Sequence, residues 1–375
     1  MVPSFQWLTT SESLKPAVER WLSCSELFID TEFIREKTFY PELALIQVFD
    51  GEQCYLIEPR AADDDSKFCE ILTSSSIRKV FHSASEDCEV LFRHFNVQIN
   101  HLWDTQVVAA FLGHGLSIGY SRLIEHYCQC VLDKGLSRSD WQKRPLSEEQ
   151  IRYALEDVTY LAEAYNKQKQ ELDDKSFDIQ WILEECESLA QRIHELDEIE
   201  LAYLDIKNAW KLNKKQLVRL QQLAQWREST AREKNRPKTF VCRNEVLFSL
   251  AQKGCKDSHL PEVKGWHPAS RRKYQAAILK LLQEIEEADV KDIKLIQPLS
   301  PSFWQQQTHN MQLARELIDK KANELGIDPD VLCSKKLLRN YVKFCLGKRS
   351  TPPRGWTSLR ESSMGESIKA IFVTG

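Results

Sequence analysis

The pattern of apolar and polar positions divides the chain into two unlike halves. From residue 25 to about 170, short apolar runs bounded by turn residues alternate with stretches of helical periodicity. Leu27-Phe28-Ile29-Asp30-Thr31-Glu32-Phe33, Ala44 to Phe49 and Cys54-Tyr55-Leu56-Ile57 read as strands, the last two joined across Asp50-Gly51, a hairpin signal. Arg78 to His82 reads as a further strand. Helices are predicted from about Ser66, from Ser83 to about Phe95, over Val107 to Leu112, and from Ser147 through Tyr153 and Asp157. Ser83 and Glu86 have the S-x-x-E spacing of a capping box, and Ser147 to Gln150, just after Pro145, give a second such signature. Residues 1–23 read as a lead-in with one short helix. The alternation of strand and helix implies an α/β domain over residues 1–172.

Beyond that point the strand-like alternation stops. Residues 173–205 are acidic and helix-favouring, which predicts a connector helix, and two helical modules follow over 206–290 and 302–375. A linker over 291–301, with Pro298-Leu299-Ser300-Pro301 at its end, separates them. The modules look like an internal repeat offset by 90 residues. Val241 matches Val331, Leu247 matches Leu337, and Gly265-Trp266 matches Gly355-Trp356, in the same order and spacing.

Charge changes this picture more than composition does. The net charge of −4 conceals 17 Lys and Arg against 5 Asp and Glu between Lys211 and Lys280, a local excess of 12 positive charges. A second run, Lys335 to Arg354, adds seven basic residues and no acid. Two basic modules in an otherwise acidic chain point to a polyanion such as nucleic acid. Eleven cysteines without a C-x-x-C pair are expected as reduced thiols. With 42% hydrophobic and 28% charged residues, and no run of 18 apolar residues, the reading is a soluble, cytoplasmic protein without membrane association.

The candidate chemistry starts at Asp30 and Glu32. Residues i and i+2 of a strand share a face, so two carboxylates are forced together inside an otherwise apolar segment. Like charges in low dielectric repel, and a bound dication relieves that cost. Asp87 falls in the first turn of the helix after the fourth predicted strand, near its positive dipole end. Tyr153 and Asp157, four apart, share a helix face.

These residues carry a specific resemblance. Phe28-Ile29-Asp30-Thr31-Glu32-Phe33, His82-Ser83-Ala84-Ser85-Glu86-Asp87 and Tyr153-Ala154-Leu155-Glu156-Asp157 resemble the three exonuclease motifs of the DEDD superfamily, in the branch with a tyrosine four residues before the last aspartate. The surrounding sequence from about 25 to 170 is similar to the bacterial ribonuclease D family. The resemblance implies a ribonuclease H-like α/β domain with a mixed sheet, followed by two small all-α bundles. It assigns Asp30, Glu32, Asp87 and Asp157 as ligands of two divalent cations, Mg²⁺ or Mn²⁺, and Tyr153 as the group that orients the attacking water. His82 departs from the family pattern and is expected as a packed or surface histidine. Asp104 is expected first as a helix cap, second as support for a metal ligand.

The first basic module resembles the helicase-and-ribonuclease-D C-terminal (HRDC) domain, and the second is a divergent copy. Lys214, Lys215, Arg219, Arg232, Lys234, Arg236, Lys238, Arg271, Arg272 and Lys273 are the candidates for phosphate contact. Trp210, Trp226 and Trp266 are candidates for base stacking, though tryptophans in bundles this small are more often core. The function implied is a monomeric 3′→5′ exoribonuclease acting on tRNA precursors. A DNA exonuclease and a catalytically inactive nucleic-acid-binding protein are the alternatives. Gly347-Lys348-Arg349-Ser350 lacks the upstream glycine of a phosphate loop, which excludes a helicase reading.

Overall fold

The short apolar runs of the first half find antiparallel partners next to them in sequence and parallel partners across helical connections. In the computed structural model, residues 4–373 are described apart from 64, 133–134, 137–138, 176, 192–198, 257–258 and 291–292. The elements of this half are β1 (Phe5–Leu8), α1 (Ser11–Trp21), β2 (Glu26–Ile34), β3 (Glu42–Phe49), β4 (Cys54–Ile57), α2 (Pro59–Ala62), α3 (Ser66–Thr73), β5 (Arg78–Phe81), α4 (Ser85–Phe95), β6 (Leu102–Asp104), α5 (Thr105–Leu112), α6 (Tyr120–Cys128) and α7 (Glu148–Lys175). The strands form one mixed sheet in the order β1-β4-β3-β2-β5-β6. β2 and β4 both run antiparallel to β3, whereas β1–β4, β2–β5 and β5–β6 are parallel.

β1 lies where a lead-in was expected. Only Leu8 of its four residues is buried, so an edge strand this short leaves almost no hydrophobic signature. β2 is central. Its first three residues pair with β5, and its ladder with β3 places Asp30 opposite Gln47 and Glu32 opposite Leu45 before the register shifts between Glu32 and Phe33. Such a bulge re-aims the strand just beyond the second acid.

α7, 28 residues long, is fixed across the sheet by Tyr165. Its ring meets those of Phe28 at 5.4 Å and Trp103 at 5.6 Å, and its hydroxyl donates to Glu26. Asp157 sits eight residues earlier, ~12 Å along the helix axis. The N-terminus of α7 has the expected capping box. Ser147 N–H donates to Gln150 Oε1 at 3.0 Å and Gln150 N–H to Ser147 Oγ at 3.2 Å.

The capping box expected at Ser83 and Glu86 does not form. Ser83 lies at φ 59°, α4 begins at Ser85, and Ala84 at its head offers no side-chain cap. Asp104, distant in sequence, takes that role from the end of β6: its Oδ1 accepts from Ser83 N at 2.9 Å and its Oδ2 from Ala84 N at 2.8 Å. Oδ1 also accepts from Gln106 N at 2.8 Å and so caps α5.

The stretch expected as one connector helix is divided. α7 ends at Lys175, α8 spans Gln180–Gln191, and a 3₁₀ segment follows at Ile199–Asp205; residues 192–198 of that stretch lie outside the described residues. α8 is a packed element, burying Trp181, Ile182, Cys186 and Leu189 in the core shared with the sheet. Its acidic surface concealed this apolar face.

The first bundle holds α9 (Lys214–Glu233), α10 (Lys238–Val241), α11 (Asn244–Lys253) and α12 (Pro268–Glu287). Its core begins before residue 206, because the fully buried Tyr203 packs into it and donates to Ile296 O at 2.8 Å. The linker thus lies partly against this bundle, although its first two residues, 291 and 292, are outside the described residues. The second bundle holds α13 (Pro301–Gln306), α14 (Thr308–Leu325), α15 (Pro329–Cys333), α16 (Lys335–Cys345), α17 (Ser358–Arg360), a π-helical turn at Glu361–Gly365 and α18 (Glu366–Val373). Of the pairs matched at the 90-residue offset, Val241 and Leu247 are buried whereas Val331 and Leu337 are only partly so, and the Gly-Trp pairs agree in the backbone of the glycine and the burial of the tryptophan. Gly265 and Gly355 adopt φ of 82° and 81°, a region that glycine enters without strain. The tryptophan after each is buried.

Both bundles touch the α/β half. The second does so through Arg360, which pairs with Glu185 of α8, and through Ser358 and Leu359 N–H, which donate to Glu184. The first meets the segment between β2 and β3, where Phe39 joins its apolar core. Among the described residues, no helix is long and apolar enough to cross a membrane.

Candidate active site

β2 supplies Asp30 and Glu32, the first turn of α4 supplies Asp87, and α7 supplies Asp157 and Tyr153. Asp30, Glu32 and Asp157 bring carboxylate oxygens within 4.8 Å of one another. Asp87 faces the same cluster and accepts a hydrogen bond from Thr31 Oγ1, the residue between the two β2 acids. Glu32, Asp87 and Asp157 are buried, and Asp30 is partly exposed. The fold thus brings together all five residues that the sequence nominated.

The electrostatics show what the cluster lacks. Burial pushes the Glu32 carboxyl up to about 10, with added repulsion from Asp30, Asp157 and Asp87. Burial likewise raises Asp157 to about 8, although the Tyr153 hydroxyl donates to it and partly offsets the rise. Asp30 and Asp87 are held well above the usual carboxylate range, first by desolvation and then by Asp157 and Asp30 respectively. Four oxygen-rich anions that cannot all ionise alone fit hard divalent cations, which remove the repulsion and accept carboxylate ligands. Burial also drives the Tyr153 phenol upward, so it stays protonated at neutral pH and acts as a donor rather than a base.

A measurable consequence follows for the metal-free protein. Its carboxyls bind protons more tightly folded than unfolded, where they titrate near ~4. Their contribution to stability is therefore complete at low pH and is lost as pH rises through the folded values, about 8 for Asp157 and about 10 for Glu32. Divalent metal removes that loss. The gain in thermal midpoint on adding Mn²⁺ over EDTA is expected to be small at pH 5 and to grow steadily to pH 8. A gain that does not vary with pH contradicts the repulsion described here.

Several side chains hold this constellation without having been nominated for it. Tyr120 of α6 donates its hydroxyl to the carbonyl of Asp157 at 2.6 Å and lies 5.4 Å, ring to ring, from His82. His82 is largely buried, its Nδ1 3.0 Å from Thr105 Oγ1, which fits the packed role expected for it. Trp141 is fully buried with its ring 5.9 Å from that of Tyr153. Thr31 was visible in the sequence only as a spacer between acids. Tyr120 and Trp141 carry no local signal, since their roles depend on contacts made across the fold.

The basic candidates separate into two groups. Lys215 and Arg219 pair with Glu286, Lys238 reaches the buried Glu228 at 2.7 Å with Arg232 at 4.0 Å, and Lys234 pairs with Glu233. The pairs on Glu286 join α9 to α12 and the Lys238–Glu228 pair joins α10 to α9, whereas Lys234–Glu233 joins exposed sequence neighbours. Arg236, Arg272 and Lys273 are exposed, as is Lys214, while Arg271 lies over the Trp266 ring at 5.8 Å. Trp266 is buried, and Trp226 packs edge-on against Tyr274 at 5.6 Å, so both serve the core. Trp210 is half-buried beside Lys211.

Known proteins share this fold. A family profile described as 3′-5′ exonuclease matches residues 5–173, and the HRDC domain profile matches residues 216–282. Ribonuclease D of Pseudomonas paraeruginosa is 34% identical over 374 residues, 98% of this chain and 97% of its own length. The chain belongs to the ribonuclease D family. Ribonuclease D of Escherichia coli is 41% identical over 249 residues, 66% of each chain. The crystal structure of Escherichia coli RNase D, described as an exoribonuclease involved in structured RNA processing, superposes with a TM-score of 0.87 at 31% identity and covers 98% of both chains. Ribonuclease D architecture thus extends over the whole chain: a ribonuclease H-like exonuclease domain with a mixed sheet, then a helical C-terminal region.

Proposed function

We propose that this ribonuclease D family member is a 3′→5′ exoribonuclease that removes nucleotides from RNA 3′ ends by two-metal-ion hydrolysis, releasing nucleoside 5′-monophosphates. The observation that carries the reading is the convergence of Asp30, Glu32, Asp87 and Asp157 beside a protonated Tyr153. Two Mg²⁺ or Mn²⁺ ions bound there supply an activated water, charge stabilisation on the phosphoryl oxygens and a stabilised leaving oxygen. The four acids would hold those ions, and Tyr153, anchored to Asp157, would orient the attacking water through its hydroxyl. Thr31 orients Asp87, while Trp141 limits the motion of Tyr153.

The chain belongs to the tyrosine branch of its superfamily, its second bundle is a divergent HRDC-like copy, and it acts as a cytoplasmic monomer on tRNA precursors. The exposed Lys214, Arg236, Arg272 and Lys273 contact RNA phosphates. An inactive binding protein is disfavoured because no acid of the set is missing.

The test uses RNA and DNA of one sequence, labelled at the 5′ or the 3′ end, with Mg²⁺ or EDTA. The reading requires metal-dependent shortening of the RNA from its 3′ end, with 5′-monophosphates released. Internal cleavage, activity in EDTA, or hydrolysis of DNA alone contradicts it. Two further results are expected. Tyr153→Phe lowers kcat on the order of 10²-fold, the scale of a positioned proton donor, with Mn²⁺ affinity unchanged; lost Mn²⁺ binding would make the tyrosine structural. The triple variant Arg236→Ala, Arg272→Ala, Lys273→Ala flattens the dependence of log affinity on log salt by about 0.7 per lost contact on single-stranded RNA. An unchanged slope would place the RNA on another surface.

A further inference from the structure

The first bundle meets the acid-bearing half at Phe39 and Tyr40, where Phe39 packs on the bundle's core and Asn235 supplies a hydrogen-bonded contact. Asn235 stands two residues beyond the end of α9, in the left-handed region at φ 44°. The helix terminates there with Arg236 N–H donating back to Ala231 O at 2.8 Å. Asparagine tolerates this conformation better than most residues. Its Oδ1 accepts from two consecutive backbone N–H groups of the other half, Phe39 at 3.0 Å and Tyr40 at 3.1 Å. The two rings are gripped as well. Phe39 has Arg232 at 5.1 Å and Lys238 at 5.8 Å from its centre, and Tyr40 has Arg93 of α4 at 4.3 Å.

This contact falls on the segment that leaves β2 just after Glu32. Arg35 in the same segment forks onto Glu89 at 2.8 and 3.2 Å and donates to Phe39 O at 3.1 Å. Glu89 is two residues past Asp87. The segment is thus tied to two of the three acid-bearing elements, β2 and α4, on one side and to the first bundle on the other.

Building on the exoribonuclease reading above, we propose that Asn235 is a positioning residue. Its amide oxygen latches the first bundle to the β2–β3 segment, so that RNA held by the bundle presents its 3′ end in fixed relation to the acids. The latch matters for RNA long enough to engage both parts and not for a short oligonucleotide.

Asn235→Gly separates the latch from the turn, because glycine keeps the left-handed backbone and lacks the acceptor. Asn235→Asp restores an acceptor. Two measurements on the full chain test the proposal: hydrogen exchange at the Phe39 and Tyr40 amides, and kcat and KM for a hairpin RNA with a single-stranded 3′ tail and for a tetranucleotide. In Asn235→Gly the two amides are expected to exchange about tenfold faster or more. KM for the hairpin RNA rises ~5-fold or more while kcat and the tetranucleotide kinetics stay within about twofold, and Asn235→Asp recovers both readouts. Unchanged exchange overturns the latch. Faster exchange with an unchanged hairpin KM, or an equal loss on both substrates, overturns its positioning role. Should the wild-type chain shorten neither RNA, the exoribonuclease reading falls, and amide exchange still tests the latch separately.

Discussion

Asp30→Asn is expected to lower RNA hydrolysis on the order of 10³-fold or more, because it removes a ligand from a site whose chemistry depends on bound cations. Asp157→Asn should behave alike. Affinity for RNA in either variant should stay within about twofold, since each substitution leaves the exposed basic residues of the helical bundles untouched. Each variant also removes one of four mutually repelling carboxylates. The metal-free variants should therefore unfold at a higher temperature than the metal-free wild type, while gaining less from Mn²⁺. Activity lost together with a lower metal-free midpoint would mean that these acids are structural. Near-wild-type turnover would remove them from the chemistry.

The second large effect is expected at a residue outside the metal-ligand set. Asp104 is 2% exposed and accepts three backbone N–H bonds, from Ser83, Ala84 and Gln106. Asp104→Ala removes the acceptor for the buried Ala84 N–H and the part-buried Ser83 and Gln106 N–H groups, and with it the caps of two helices, a cost of roughly 3 kcal/mol. The corresponding fall in thermal midpoint is about 10 °C. Because the α4 cap sets where Asp87 points, kcat should fall on the order of 10²-fold even at temperatures where the variant is folded. Asp104→Asn keeps one oxygen acceptor and should lose about half as much stability. Thermal unfolding and single-turnover hydrolysis check both statements. A wild-type midpoint in Asp104→Ala would show that solvent replaces the carboxylate and that the turn at Ser83 holds itself.

The catalytic half was legible in the sequence where chemistry and periodicity coincide. Asp30 and Glu32 stand on one face of an apolar strand, and Tyr153 and Asp157 on one face of a capped helix, so local spacing put each pair on a common face while the family resemblance joined them into one site. Legibility failed where a partner is distant. The S-x-x-E spacing at Ser83 describes a local cap, whereas the α4 terminus is capped from residue 104, and no local pattern encodes that. α8 lies in a stretch that reads as a connector because the stretch as a whole is acidic, yet Trp181, Ile182, Cys186 and Leu189 turn inward. The basic residues were countable, but their partners were not. Glu228 and Glu286 engage Arg232, Lys238, Lys215 and Arg219 within the first bundle, a structural pairing that a charge count does not show.

The central claim is that the four carboxylates bind two divalent cations and that hydrolysis depends on both. Mn²⁺ binding to the full chain, followed by titration calorimetry in the presence of a nucleoside 5′-monophosphate and compared with the metal dependence of RNA hydrolysis, tests it most directly. The account predicts two ions per wild-type chain, no more than one in Asp30→Asn, and a hydrolysis rate that rises with occupancy of the weaker site. Full activity with a single bound ion, or two ions retained by Asp30→Asn, would contradict it.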